Sequence, residues 1–179
     1  MSASPSQLEM IRKDLSELPA LEIPSDCELR TFQPGDEAHW ARIMNDCIGR
    51  DWTAERCRAE LVERIEFRAD GCFMAVMDGE PQGSASSYVL PAFTREVGYV
   101  HMVGVAPAYR GLGLGVLVTC AVLHWFRDND FKQALLRTDD WRLPAIGSYL
   151  KLGFEPVVFN DSHAERWDAV RANLARRGV

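Results

Sequence analysis

Three closely spaced glycines, Gly111, Gly113 and Gly115, separate two apolar segments of the chain. The segment before them, residues 99–105, predicts a strand, and the segment after them, residues 116–126, predicts a helix that is apolar on all sides and therefore buried. The first amides of such a helix have no acceptor within it, and the helix dipole adds positive potential there. Glycines without Cβ atoms let an anionic oxygen come close to those amides. The pattern therefore predicts a binding site for phosphate, such as a pyrophosphate.

Two other interpretations stay open for the loop alone. The glycines could simply permit a tight turn with close helix packing, or they could belong to an unrelated nucleotide-binding protein. A dinucleotide-binding loop has the spacing G-x-G-x-x-G, whereas here the spacing is G-x-G-x-G and residues 106–109 and Arg110 intervene after the strand. The lysine of a P-loop is missing from the motif. Dinucleotide binding and nucleotide hydrolysis are therefore disfavoured.

The elements that must position this loop predict a mixed α/β sheet. A strand over residues 28–32 is followed by two helices, and strands over residues 72–77 and 83–90 form a hairpin. After the buried helix, strands and helices alternate up to a final amphipathic helix. This order indicates a mixed sheet rather than an all-parallel one.

The domain organisation follows from length and spacing. Residues 1–26 predict an N-terminal helical appendage, because Leu8, Ile11 and Leu15 have helical spacing. Residues 27–179 predict one domain, since a chain of 179 residues is short for two full domains.

Composition narrows the function classes. The formal net charge of −6 argues against nucleic acid as the main partner, because phosphate backbones require a basic face. No apolar run approaches the ~18 residues of a membrane span, so membrane association is not expected. The five cysteines include no C-x-x-C pair and no histidine-containing metal set, which predicts reduced thiols, no metal and a cytoplasmic location.

The glycine loop and a second phrase together resemble a known family. The pattern Val105-x-Pro107-x-x-Arg110-Gly-x-Gly-Leu-Gly, ending at residue 115, is similar to the R/Q-x-x-G-x-G/A acetyl-CoA signature of the GNAT (GCN5-related N-acetyltransferase) superfamily. Residues 145–154 resemble its phrase A-x-x-x-Y-x-K-x-G-F, with Tyr149 at the tyrosine. The resemblance implies an α/β GNAT acyl-CoA N-acyltransferase fold, an α+β mixed sheet that is mostly antiparallel, splayed at the cofactor strand and flanked by helices.

The resemblance also implies how acetyl-CoA binds. Main-chain groups of Val103, Gly104 and Val105 would hold the pantetheine arm. The pyrophosphate would be held by main-chain groups of the loop, namely Arg110, Gly111, Leu112, Gly113, Leu114 and Gly115. Gly104 supports this independently, because a glycine inside a strand often marks a bulge or a close backbone approach. Arg142 stands where many family members carry an asparagine, and its guanidinium could lie near the cofactor phosphates.

The implied reaction transfers the acetyl group of acetyl-CoA to a primary amine by direct attack. Tyr149, at the family's tyrosine, would protonate the departing sulfur, and the Val105 amide would polarise the thioester carbonyl. His101 is a candidate base where the family often has a carboxylate, and by the two-residue strand period it should share a face with Val103 and Val105. Glu96, before this strand, is the rival base.

Three further expectations complete the hypothesis. The acceptor is an unidentified small-molecule or peptide amine. A non-catalytic acyl-CoA-binding or regulatory module is the alternative function, because the histidine at position 101 replaces a carboxylate. The chain turns to a helix soon after Phe159, where the family often has a last strand, so an uncovered sheet edge and a homodimer that covers it are expected.

Overall fold

The structure is a computed structural model that describes residues 6–90 and 96–178. Its strands are β1 (Leu8–Arg12), β2 (Cys27–Thr31), β3 (Phe67–Met77), β4 (Glu80–Tyr88), β5 (Val97–Val105), β6 (Gln133–Thr138) and β7 (Glu155–Val157). Its α-helices are α1 (Glu37–Cys47), α2 (Ala54–Cys57), α3 (Leu114–Asp128), α4 (Leu143–Lys151) and α5 (Asp161–Arg176). A π-helical turn, Arg58–Val62, continues α2, and a 3-10 turn, Pro107–Tyr109, precedes the glycine loop.

All seven of these strands form one mixed sheet in the order β2-β3-β4-β5-β6-β1-β7. Only β5 and β6 are parallel, and every other neighbouring pair is antiparallel. The expected mixed and mostly antiparallel sheet is therefore confirmed.

In the N-terminal segment, Leu8–Arg12 form a strand inside this sheet rather than part of a helix. β1 pairs with β6 on one side and with β7 on the other, and Leu8 and Met10 are fully buried. The helical prediction was wrong because it followed Leu8, Ile11 and Leu15, whereas the residues that face the core alternate with a period of two. A segment this short takes the conformation of the sheet that receives it.

Insertion of β1 sends the chain across the molecule. Because β1 and β2 lie far apart in the sheet, residues 13–26 must cross from one side to the other, and they pass over α3. The carbonyl of Pro19 lies 2.9 Å from His124 Nε2 of that helix. Helix α3 is therefore covered by the sheet on one side and by this crossing segment on the other. This explains why nine of its fifteen residues are buried, as the apolar composition of the helix predicts.

The sheet also changes the basis for expecting a dimer. As expected, α5 begins at Asp161, directly after the β7 region. The N-terminal strand, however, adds a seventh strand between β6 and β7. The homodimer therefore stays a prediction, but a missing last strand is no longer a reason to expect it.

Two buried cores lie on the two faces of the sheet. The core on the face that carries α3, here called the α3 face, includes Leu117 and Phe126 and extends to Trp167 of α5. The core on the other face, the α1 face, includes Trp40 and Met74. The candidate site lies where the sheet between these cores opens.

Candidate active site

The parallel pair β5–β6 opens into a cleft. The strands pair over only three residues of β5, from Val97 to Tyr99, and diverge beyond them. A cavity of about 220 Å³ lies in the gap, lined by the later residues of β5 and β6 and by α4. Polar and aromatic side chains from three elements therefore meet at one opening in the sheet.

A β-bulge at Met102 determines which way the cleft residues of β5 point. Met102 has φ of 53°, in the left-handed region, and the register against β4 shifts there. Val103 and Val105 pack against the core of the α3 face. The His101 ring instead lies against Tyr88 of the α1 face, with ring centroids 4.1 Å apart. The prediction that His101 shares a face with the two valines is wrong, because the two-residue period fails across a bulge.

Gly104 lies where helix α1 touches the strand. A Cβ atom at this position would be 3.0 Å from both Ile43 Cγ2 and Met44 Cε. Even a methyl group here would require these two side chains to shift by a few tenths of an ångström. The bulge expected near this glycine is at Met102, and Gly104 itself is packed under side chains of α1, so its approach to a cofactor stays a prediction.

The last residues of β5 have one edge that is not paired with β6 and faces the opening. The Ala106 N–H donates to the Gln82 carbonyl of β4 at 2.7 Å. The Val105 carbonyl of the same peptide therefore points away from β4, and there it accepts hydrogen bonds from Cys47 Sγ and Arg110 Nε, each at 3.2 Å. Because the N–H and C=O of one strand residue point to the same side, the Val105 N–H also points away from β4, toward the opening.

The glycine loop forms an open surface at the start of α3. Gly111 and Gly113 have φ of 83° and 82°, and a Cβ atom on either would meet nothing within 4 Å. The first helical bond runs from the Leu117 N–H to the Gly113 carbonyl at 3.0 Å, so the amides of the intervening residues have no acceptor inside the helix. Leu114 is buried and Leu112 is 54% exposed, so neither side chain closes the surface. This geometry suits phosphate oxygens.

Arg110 and Arg142 both bind the C-terminal end of α1. Arg110 Nη2 donates to the Asp46 carbonyl and Arg142 Nη1 to the Cys47 carbonyl, each at 2.9 Å. Arg142 also donates from Nε to Asp139 at 2.8 Å, and its side chain lines the cavity. The Arg110 guanidinium thus connects the glycine loop to α1, and the Arg142 guanidinium connects the start of α4 to α1. The contact of Arg142 with a cofactor stays a prediction.

Tyr149 extends from α4 into the wall of the cavity. It is 6% exposed, and its ring packs edge-on against Phe154 with centroids 6.0 Å apart. Burial raises the pKa of the phenol above its ordinary value, and nearby Arg142 lowers it by less. Tyr149 is therefore a protonated phenol at neutral pH, and its raised pKa makes it a weaker acid than a free tyrosine.

His101 lines the same cavity from the α1 face. Burial lowers its pKa to about 4, and the neighbouring Glu66 carboxylate opposes that shift only in part. The imidazole is therefore neutral at pH 7 and has a free nitrogen lone pair. It can accept a proton but holds it weakly.

Glu96 lies at the closed end of the strand pair. It is exposed, and its carbonyl accepts hydrogen bonds from the Lys132 and Gln133 amides at 2.8 and 3.0 Å. The strands separate only after Tyr99, so the structure does not bring Glu96 to the cavity with His101.

Several residues of the cavity wall were not identified from the sequence, and two of them, Thr138 and Gln7, are polar and instructive. Thr138, the last residue of β6, is 2% exposed and its hydroxyl has no hydrogen-bond partner among the described residues. Its signal was a polar side chain two residues after buried Leu136, where an apolar one is expected. Gln7, just before β1, also lines the cavity, and its position follows only from the place of β1 in the sheet.

Comparison with known proteins identifies the class to which this fold and cleft belong. Residues 38–154 match the model of the acetyltransferase (GNAT) family, so the chain belongs to that family. The GCN5-related N-acetyltransferase from Sphaerobacter thermophilus aligns with a TM-score of 0.68 and 21% identity over 86% of this chain and 50% of that one. At this identity the likeness concerns the fold.

Curated relatives narrow the resemblance further. The chain is 36% identical to the mycothiol acetyltransferase of Thermomonospora curvata over 78% of this chain and 48% of the relative. It is 33% identical to that of Acidothermus cellulolyticus over 82% of this chain and 50% of the relative. The chain thus spans about half the length of the curated relatives it matches.

Two negative findings apply to the described part of the chain, residues 6–90 and 96–178. None of its helices is long and apolar enough to cross a bilayer. It also contains no cluster of three or more histidine, cysteine or acidic side chains suited to a metal ion.

Proposed function

We propose that this chain transfers the acetyl group of acetyl-CoA to a primary amine of a small molecule. The observation that carries the proposal is the connection of two features in one region. The cleft between β5 and β6 contains a protonated phenol and a neutral imidazole, and β5 leads directly into an open glycine loop at the start of a buried helix.

The residues present fit acetyl-CoA along this path. The edge of β5 that diverges from β6 would pair with the amides of a pantetheine arm, as an added strand would use it. Near Val105 it offers the N–H, because the carbonyl already accepts hydrogen bonds from Cys47 and Arg110. The open surface at Gly111 and Gly113 offers unpaired amides to a pyrophosphate. When bound, acetyl-CoA supplies an acetyl group activated as a thioester.

The side chains then have distinct roles in direct attack. The Val105 N–H stabilises negative charge that develops on the carbonyl oxygen. Tyr149 donates its proton to the leaving sulfur, which restores a neutral thiol. His101 accepts a proton from the attacking amine, directly or through water, and releases it to solvent, since its lowered pKa disfavours the charged imidazole. The Tyr149 phenolate then regains a proton from solvent, so that one proton passes in total from the amine to the sulfur.

The two faces of the sheet separate donor from acceptor in this proposal. Tyr149 and the glycine loop adjoin the α3 face, whereas His101 lies on the α1 face. We place the amine on the side of His101. Relatives named mycothiol acetyltransferase support a small-molecule amine as the acceptor class for this chain.

One observation favours a second candidate, a non-catalytic acyl-CoA-binding or regulatory module. The buried imidazole, with a pKa of about 4, is a weak base for an amine, and Glu96 lies outside the cavity. Under this alternative, acetyl-CoA binds but no amine is acetylated.

Two measurements test the proposal. Acetyl-CoA in excess should raise the melting temperature of the purified chain, and the absence of any shift would contradict donor binding. Thiol release from acetyl-CoA should then be followed with a panel of small alkylamines, amino-acid α-amines, a peptide N-terminus and a lysine side chain. Turnover of the small amines supports the enzyme, whereas binding without thiol release across the panel supports the binding module.

A further inference from the structure

The hydroxyl of Thr138 is buried without a hydrogen-bond partner in the part of the chain that the structure describes. Thr138 pairs with Leu8 of β1 across the sheet, and Leu136 precedes it on the same face of β6. Its Oγ1 atom is buried and makes no hydrogen bond to any described residue. A hydroxyl can donate one hydrogen bond and accept two, and a buried one left unpaired destabilises a folded protein. The residue nevertheless lines the cavity between β5 and β6.

The position of Thr138 assigns it to the donor side of the cleft. Ala134 and Leu136 belong to the core of the α3 face, and the strand period places Thr138 on that face as well. Tyr149 of α4 belongs to the same core and lines the same cavity. His101, the proposed acceptor-side residue, lies on the opposite face.

We propose that Thr138 is a positioning residue whose hydroxyl hydrogen-bonds an amide of the acyl donor's pantetheine arm. This inference rests on the proposed function, because it needs the donor to lie in the cleft. The bond holds the arm against β6, while the edge of β5 that is not paired with β6 holds its other side. The thioester is thereby kept beside Tyr149. The N-terminal strand contributes indirectly, since Leu8 fixes the end of β6 from which Thr138 extends.

The proposal predicts that removal of the Thr138 hydroxyl weakens acetyl-CoA binding without destabilising the free protein. In Thr138→Val, which keeps the shape of the side chain, loss of the unpaired hydroxyl should leave the melting temperature of the free chain unchanged or higher. The dissociation constant for acetyl-CoA should rise about tenfold, equivalent to ~1.4 kcal/mol. The KM for the amine should not change. Thr138→Ser, which keeps the hydroxyl, should bind acetyl-CoA nearly as the wild type does.

Ser87 provides a matched control. Its hydroxyl is also buried and without a partner among the described residues, but it lies outside the cavity, close to Gly71 and Trp125. Ser87→Ala should therefore share the unchanged or higher melting temperature and keep wild-type affinity for acetyl-CoA.

Binding is measured on the full chain by titration with acetyl-CoA and by the shift in melting temperature that acetyl-CoA produces. Equal affinity of Thr138→Val and the wild type would overturn the assignment of Thr138, and so would a rise confined to the KM of the amine. Absence of binding by the wild type would instead overturn the donor site itself. These outcomes can be told apart because the first two compare Thr138→Val with the wild type, in the dissociation constant of acetyl-CoA or in the KM of the amine, whereas the last concerns the wild type alone.

Discussion

Removal of the Tyr149 hydroxyl should separate catalysis from folding. In Tyr149→Phe the ring keeps its packing against Phe154, and only the phenolic oxygen at the wall of the cavity is removed. The free energy of unfolding should therefore change by less than about 1 kcal/mol, in either direction.

The expected loss of turnover is worked from the chemistry of the leaving group. A positioned acid contributes roughly 100- to 10,000-fold to a rate. A thiol with an ordinary pKa of about 8.5 leaves tolerably well as an anion, so the lower end of this range applies. We expect kcat to fall about 100-fold, or ~2.7 kcal/mol of transition-state stabilisation, with little change in the KM for acetyl-CoA.

The assay is thiol release with saturating acetyl-CoA and the amine on which the wild type is most active, accompanied by thermal unfolding. Tyr109→Phe is the matched control, because Tyr109 lies before the glycine loop and its hydroxyl binds Asp78 at 2.7 Å outside the cleft. It should lose that bond and keep its turnover. A Tyr149→Phe protein with wild-type kcat would refute the reasoning that assigns Tyr149 as the acid.

Three further predictions concern the loop, the imidazole and the N-terminal strand. Gly113→Ala and Gly79→Ala place a side chain at φ of 82° and 80°, so both should lose about 1 kcal/mol of stability by denaturant unfolding, but only the former should weaken acetyl-CoA binding in a titration. Because burial lowers the pKa of His101 from 6.5 to about 4, the unfolded chain binds this proton at a higher pH than the folded chain does. The free energy of unfolding should therefore fall by about 3 kcal/mol as the pH falls from 6.5 to 4, and this decrease should be absent in a pH series of unfolding of His101→Gln. Equal slopes in the two proteins would contradict the buried, neutral imidazole. Met10→Ala should destabilise the chain by about 2–5 kcal/mol and half-buried Ile11→Ala by clearly less, whereas equal small effects in thermal unfolding would contradict a central strand.

The glycine loop and its flanking elements were predictable from local chemistry. A positive φ at Gly111 and Gly113 is a requirement that glycine meets without strain, and it leaves a signal in one short segment. The apolar pattern of α3 likewise reported burial on all sides. The position of Tyr149 on a helix beside the cleft agreed with a second local phrase.

The orientation of His101 could not be predicted in the same way. A strand period assigns faces only while the pairing is regular, and the bulge at Met102 depends on how β5 pairs with β4. Nothing in the side chain of Met102 indicates a left-handed conformation, which is uncommon for residues other than glycine. Glu96 looked close to the cleft along the chain, but the strands separate only after it.

The sequence by itself determined the turn chemistry of the loop, the buried helix that follows it and the family to which the chain belongs. Only the tertiary structure decided that Leu8–Arg12 form a strand between β6 and β7, which places Gln7 at the cleft, and that β5 and β6 diverge beside Thr138. The physical reason is the distance along the sequence between the residues that interact. Backbone conformation at a glycine and burial of a helix are recorded in neighbouring residues, whereas strand pairing joins Leu8 to Thr138 across most of the chain through contacts that no local pattern encodes.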